Sequence, residues 1–259
     1  MRLLKDLGNL IKFKVNLVVV FTSILGYLVA SGGRNIDLYQ LLGITLGGFF
    51  TTGAAHAINQ IIERKHDLKM ERTNNRPLPS GSMSVMEVAI YAAIMVLLGY
   101  LSFSLFNNEL TLILGMGSLL VYSFLYTPMK RVSPIAVAIG AIPGALPPTI
   151  GYVAFTGRID GLAIVLFLIQ FFWQFPHFWS IAWLYFDDYN RAGYQLFPTD
   201  SGKSVKNAFY TFISSLTLIP FVFLLFTLSK MNIYAIGLVS VLTLGFILYA
   251  YVFYKKLII

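Results

Sequence analysis

Asn59, Glu63 and Asp67 recur at intervals of four in the stretch NQIIERKHDLKMERTNNRPLPSG, residues 59–81. On a helix each such step adds about 40° of rotation and about 6 Å of rise, so the three oxygen-bearing side chains share one face. Hard oxygen donors with few carboxylates suit Mg²⁺, which keeps waters and is completed by the phosphates of a substrate. Arg72 and Arg76 repeat the interval just beyond, and guanidinium groups so spaced could clamp a diphosphate. Eight of the fourteen residues from Glu63 to Arg76 are charged, in a chain that is 12% charged overall. A loop that only anchors a topology needs the arginines and lysines, and has no need of acids in register.

Three further stretches carry polar chemistry. Asp187 and Asp188 stand together in IAWLYFDDYNRAGYQLFP; adjacent acids point about 100° apart on a helix, so both need not face one ion. Tyr126, Lys130 and Arg131, in YSFLYTPMKRVSP, are donors that could reach a diphosphate. Positive charge at a membrane surface would account for Lys130 and Arg131 but not for the tyrosines. In FLIQFFWQFPHFWSIAWLYF, Gln170, Gln174 and His177 share a face at i, i+4, i+7, with Trp173, Phe175, Phe178, Trp179 and Trp183 around them. Polar side chains at membrane depth turn toward a bundle interior or a cavity. A helix regular past Pro176 would put His177 roughly 16 Å below Asp188 on the same side. A lone histidine there can equally be a hydrogen-bonded packing residue.

The elements that must position these groups are membrane helices. The 259 residues are 57% hydrophobic, and the apolar residues come in runs of roughly 20, enough to cross a bilayer core. The runs do not alternate, which argues against a β-barrel. The expected fold is all-α: a polytopic transmembrane helical bundle around a central cavity, with spans near 15–31, 38–58, 84–106, 110–127, 134–155, 161–184, 207–229 and 232–254. The first span follows basic residues as a signal peptide would, but seven more follow, so it is counted as a retained helix. With the N-terminus cytoplasmic, sixteen of the nineteen Lys and Arg residues lie inside, and only Arg34, Arg158 and Lys230 lie outside. That asymmetry sets the orientation and puts the mouth of the cavity on the cytoplasmic face. Basic loops against an anionic leaflet explain the net charge of +8 without nucleic acid. The absence of cysteine excludes disulfides, thiolate metal sites and a cysteine nucleophile. Span 5, GAIPGALPPTIGY, should be kinked by its prolines, which is tolerated where neighbours satisfy the backbone.

Acids and cations at one mouth, above an apolar aromatic cavity, suit a prenyl diphosphate with its head at the surface and its tail among the helices. Mg²⁺ and the cations would stabilise the departing diphosphate, and aromatic faces would stabilise the allylic cation. At these residues the sequence resembles the UbiA-type intramembrane prenyltransferases. The resemblance covers roughly residues 10–255. It rests on NxxxExxxD followed by MERTNNRPLPSG, on Tyr126 to Lys130 as YxxxK, on KRVSPIAVAIGAIPGALPPTIGY and on WQFPHFWSIAWLYFDDYNRAGYQLFP. The Pro-His-Phe-Trp and Asp-Asp-Tyr-x-x-Ala-Gly elements are similar to those of the haem O synthase branch.

The resemblance implies one transmembrane prenyltransferase domain over residues 1–259, in the cell inner or plasma membrane. The implied reaction moves a farnesyl group from farnesyl diphosphate to the 2-vinyl group of haem b, with addition of water, giving haem o and diphosphate. Asn59, Glu63 and Asp67 would hold one Mg²⁺, and Asp187 and Asp188 would help hold a second. Arg72, Arg76, Tyr126, Lys130 and Arg131 would bind diphosphate. His177, with His56 and Trp173, would contact haem, His177 as the candidate axial ligand. Haem A synthase or terminal-oxidase assembly proteins are the implied partners. The chain departs from the family pattern in three places: Glu63 stands where Asp is more frequent, His56 stands where a second Asn is expected, and eight spans are read where nine are usual. Other classes are a related prenyltransferase acting on an aromatic quinone precursor, a transporter, and a haem chaperone using His177.

Overall fold

In the computed structural model, which describes residues 2–229 and 232–258, eight helices are long and apolar enough to cross a membrane. Lys230, counted above with the outside cations, lies outside the described residues. In chain order the helices are α1 (Arg2–Leu10), α2 (Phe13–Ser31), α3 (Leu38–Asp67), α4 (Val85–Phe106) and α5 (Glu109–Leu120). A π-helical turn (Val121–Tyr126) and α6 (Thr127–Met129) complete the fourth span. Then come α7 (Ala136–Thr156), α8 (Gly161–Leu184), α9 (Phe186–Ala192), α10 (Val205–Leu216), α11 (Leu218–Leu228) and α12 (Ile233–Lys255). No strand occurs among the described residues. The spans match the expected ones within a few residues, except that the second runs nine residues further, to Asp67. At 30 residues, α3 is about 45 Å long, longer than a hydrocarbon core is thick. Its last turns therefore carry Glu63 and Asp67 into the cavity mouth.

Three of the acids outside that mouth cap helices. Asp37 accepts from the backbone N–H groups of Tyr39 and Gln40 at the start of α3, and Asp160 from those of Leu162 and Ala163 at the start of α8. Ser84 and Glu87 form a reciprocal capping box on α4. These carboxylates satisfy orphan helix donors, and so are used up structurally.

The core lies around α7 and α3, where 72% and 56% of the most apolar window is buried, against 6% for α12. Helix α2 crosses α7 closely because Gly26 lies against the carbonyl of Pro148, and Gly151 against that of Ser23. A side chain at either glycine would meet backbone, so only hydrogen fits; small residues set such membrane-helix contacts. Despite three prolines, α7 is helical throughout. Pro148 has no N–H to give to Gly144 one turn earlier. Gln174 on α8 supplies the missing donor, its Nε2 donating to the Gly144 carbonyl at 3.3 Å. A polar residue expected to mark a cavity thus also repairs a neighbouring helix.

Candidate active site at the cavity mouth

The bundle encloses a cavity of about 730 Å³. Its wall includes Asn59, Glu63, Asp67, Arg72, Arg76, Tyr126 and Lys130 at one end, and Gln170, Trp173, Gln174, His177 and Phe178 further in. The one-face reading of α3 therefore holds in three dimensions: Asn59, Glu63 and Asp67 are all buried and all line it.

Each acid is held by a cation. Arg76 Nη1 donates to both oxygens of Asp67, at 2.9 and 2.8 Å. Lys130 Nζ donates to Glu63 Oε1 at 2.8 Å, and Asn59 Nδ2 donates to Glu63 Oε2 at 2.8 Å and to Thr127 Oγ1 at 3.0 Å. Asn59 thus uses its amide N–H groups and keeps its carbonyl oxygen for another partner. Arg72 and Arg76 do not continue the helix as the spacing suggested. Residues beyond Asp67 run as successive turns, which fold Arg76 back onto Asp67 and stack Arg72 over the ring of Tyr185, 4.6 Å from its centroid.

Tyr126 and Lys130 meet the site by a route that spacing does not reveal. Pro128 cannot donate to Phe124, and the helix widens into the π-turn, with the N–H and hydroxyl of Thr127 both donating to the Tyr122 carbonyl. Such bulges concentrate at functional sites. The turn lays Lys130 Nζ 4.7 Å from the centre of the Tyr126 ring. Arg131 departs from expectation: it is exposed, does not line the cavity, and meets His66 Nε2 at 2.6 Å.

The second acidic pair also departs from it. The chain breaks at Tyr185 between α8 and α9, so the register linking His177 to Asp188 on one helix is lost. Asp187 is exposed. Asp188 is buried but off the cavity wall, accepting from the backbone N–H groups of Glu71 and Arg72 at 3.1 and 3.2 Å and pairing with Arg191. Burial would raise its pKa; the bonds from Arg191 and the two N–H groups outweigh that and hold it below the usual carboxylate range. The geometry makes Asp188 a fastener for the Arg72 loop.

Three cavity groups escaped the sequence reading. Lys12, counted only as a topology charge, lines the wall from a left-handed backbone conformation, φ 48°, a strained state for a non-glycine residue. Burial, then repulsion from Arg76 and Lys130, lowers its amine to about 7 against the pull of Glu63. Tyr194 is buried on the wall with an unpartnered hydroxyl; burial and then the Glu63 charge push its pKa up, so it stays a donor. Tyr122 lies beside His56, at 3.4 Å from oxygen to Nδ1. In sequence Lys12 shows only as a basic residue just before the first span, Tyr122 only as a tyrosine four residues before Tyr126, and Tyr194 leaves no signal. Deeper in, Trp173 stacks on His177 with centroids 4.5 Å apart.

Among the described residues no cluster of three or more His, Cys, Asp or Glu could hold an ion. Two carboxylates and an amide oxygen nevertheless fit Mg²⁺, which takes few protein ligands and completes its shell with waters and phosphates.

Residues 19–257 match the UbiA prenyltransferase family. A protoheme IX farnesyltransferase of Cytophaga hutchinsonii is 45% identical over 83% of this chain and 75% of its own length. Another, from Saccharophagus degradans, is 37% identical over 95% of this chain and 81% of its own. Among solved structures, a digeranylgeranylglyceryl phosphate synthase is 25% identical with a TM-score of 0.78, over 99% of this chain and 89% of that one. A UbiA homologue from Archaeoglobus fulgidus bound to DMAPP and Mg²⁺ has a TM-score of 0.76 at 16% identity, over 97% of this chain and 86% of that one. The family match, the relatives and the shared fold agree: this chain belongs to the UbiA prenyltransferase family.

Proposed function

We propose that this chain is a haem O synthase, transferring farnesyl from farnesyl diphosphate to the 2-vinyl group of haem b, with water addition, to give haem o and diphosphate. The observation that carries the transfer chemistry is a single cavity with Glu63, Asp67 and their cations at one end and an aromatic wall at the other. The choice of acceptor is supported by relatives that are protoheme IX farnesyltransferases. The protein is proposed to act as one domain in the inner membrane, with its N-terminus and cavity mouth cytoplasmic.

Asn59, Glu63 and Asp67 would hold Mg²⁺, which when bound neutralises the developing charge of the leaving diphosphate. Arg76 and Lys130, released from the two acids, turn toward the phosphate oxygens, joined by Arg72, Lys12 and the Tyr194 hydroxyl. Cations and fixed donors aimed at the departing oxygen favour the transition state over the ground state. Tyr126 and Phe178, 5.8 Å apart, offer π faces to the allylic cation and keep water from its diphosphate side. His177 and Trp173 give the haem a flat contact and a nitrogen to approach. Asp188 acts through Arg72, whose loop it fastens.

The test is product analysis. Membranes carrying the protein, given haem b, farnesyl diphosphate and Mg²⁺, should yield haem o by mass spectrometry. Prenylation of an aromatic quinone precursor, with haem b untouched, would overturn the acceptor and leave the diphosphate site standing.

A further inference from the structure

Resting on that reading, we propose that His56 is the base that takes the proton from the water that captures the prenylated haem cation. Farnesyl transfer to a vinyl group has two halves. The C1–O bond of the diphosphate breaks, the vinyl π pair forms the new bond from its terminal carbon to C1, and the inner vinyl carbon is left cationic beside the ring. Water then bonds to that carbon and must lose a proton. Without a base and a held water, the cation closes instead by losing a proton from the neighbouring CH₂, giving an alkene one water lighter than haem o.

His56 has the position and the free atom for this. It lies one turn deeper than Asn59 on α3, about 4.5 Å along the axis, and two turns deeper than Glu63. A diphosphate at Glu63 and Asp67 would hang its C1 toward that level. The imidazole is buried, lines the cavity, and has no hydrogen-bond partner on Nε2. Its Nδ1 lies 3.4 Å from the Tyr122 hydroxyl oxygen. With Nδ1–H donating to that oxygen, Nε2 carries the lone pair a base needs. Thr52, one turn earlier on α3, and Ser118, one turn before Tyr122, also line the cavity. A water among His56, Thr52 and Ser118 would have the two to four polar partners a buried water requires. The proton lost by water ends on Nε2, and the hydroxyl stays on the former vinyl carbon, so the step balances.

The experiment compares wild type with His56→Gln and Tyr122→Phe, measuring diphosphate release and the ratio of haem o to its dehydrated analogue. His56→Gln should lower that ratio about a hundredfold, in the range of a lost general base, while diphosphate release continues. Tyr122→Phe should lower it by a smaller factor through loss of tautomer control, and serves alone where His56→Gln does not fold. An unchanged ratio in either folded variant overturns the proposal. So does a folded His56→Gln that binds both substrates but releases no diphosphate, because a base acting after carbon–carbon bond formation cannot block ionisation. A wild type that prenylates no haem sinks the functional reading itself, and is told apart by its first control lane.

Discussion

Two acidic clusters lie at the same end of this bundle and have opposite fates. Glu63 and Asp67 sit on one unbroken helix, four residues apart, and face the cavity. Asp187 and Asp188 sit on a short helix after a break, one facing solvent and the other spent on two backbone N–H groups and Arg191. Both clusters offer carboxylates. Backbone continuity decides whether a carboxylate keeps oxygens for an ion or gives them to the fold. The acids at the cavity are paired with side chains that can move away; the fastening acid is paired partly with backbone, which cannot.

The sharpest way to break the comparison is at Lys130. Lys130→Met leaves Glu63 buried without its cation, and turnover should fall about a hundredfold, with a loss of thermal stability on the order of 3 kcal/mol. Adding Glu63→Gln should recover most of the stability and none of the turnover. A double variant that regains activity would show the pair to be structural only. A second prediction concerns protons. Lys12, at about 7 in the free protein, should be recharged by a bound diphosphate. Farnesyl diphosphate binding should then take up close to one proton near pH 8.5 and almost none near pH 5.5, with affinity falling as pH rises above 7. Calorimetry in buffers of different ionisation enthalpy reads this directly, and Lys12→Met should abolish it; equal uptake in that variant would clear Lys12 of the role.

At Asp188 a smaller effect is expected. Asp188→Asn should raise KM for farnesyl diphosphate several-fold while leaving kcat within about threefold, since the residue acts by holding the Arg72 loop. Its depressed pKa also fixes a sign. The fastening is fully present above the usual carboxylate range, about pH 4, and fades as pH falls through the lower native value. Protection of the Glu71 and Arg72 amides, taken relative to their intrinsic exchange rates at each pH, should therefore fall in acid, and the dependence should vanish in Asp188→Asn. Protection unaffected by acid in the wild type would contradict the fastening.

Much of this was legible in the sequence. Apolar run length located all eight spans, and a spacing of four placed Asn59, Glu63 and Asp67 on the cavity wall, because both follow from helix geometry alone. The break at Tyr185 was not legible: no glycine or proline marks it, and it accompanies a long-range bond from Asp188 to the loop of residues 71 and 72. Lys12 and Tyr194 were missed because a left-handed residue before a span and a tyrosine in a turn acquire meaning only when the chain closes. Arg131 departs from its reading because the chain leaves α6 at Met129 and turns there, sending Arg131 outward to His66 while Lys130 faces the cavity. Gln174 was read as a cavity residue, and its bond to the carbonyl freed by Pro148 emerged only when two helices were placed together.

The most direct test of the central claim sets one acid of each cluster against the other in the same assay. Haem b, farnesyl diphosphate and Mg²⁺ are supplied to wild type, Asp67→Asn and Asp187→Asn, and haem o is followed by mass spectrometry. Loss of the Asp67 carboxylate should cut turnover by about a hundredfold or more, and loss of the exposed Asp187 carboxylate should change it by less than about twofold. Equal losses from the two variants, or a larger loss at Asp187, would contradict the account and return the second cluster to the chemistry.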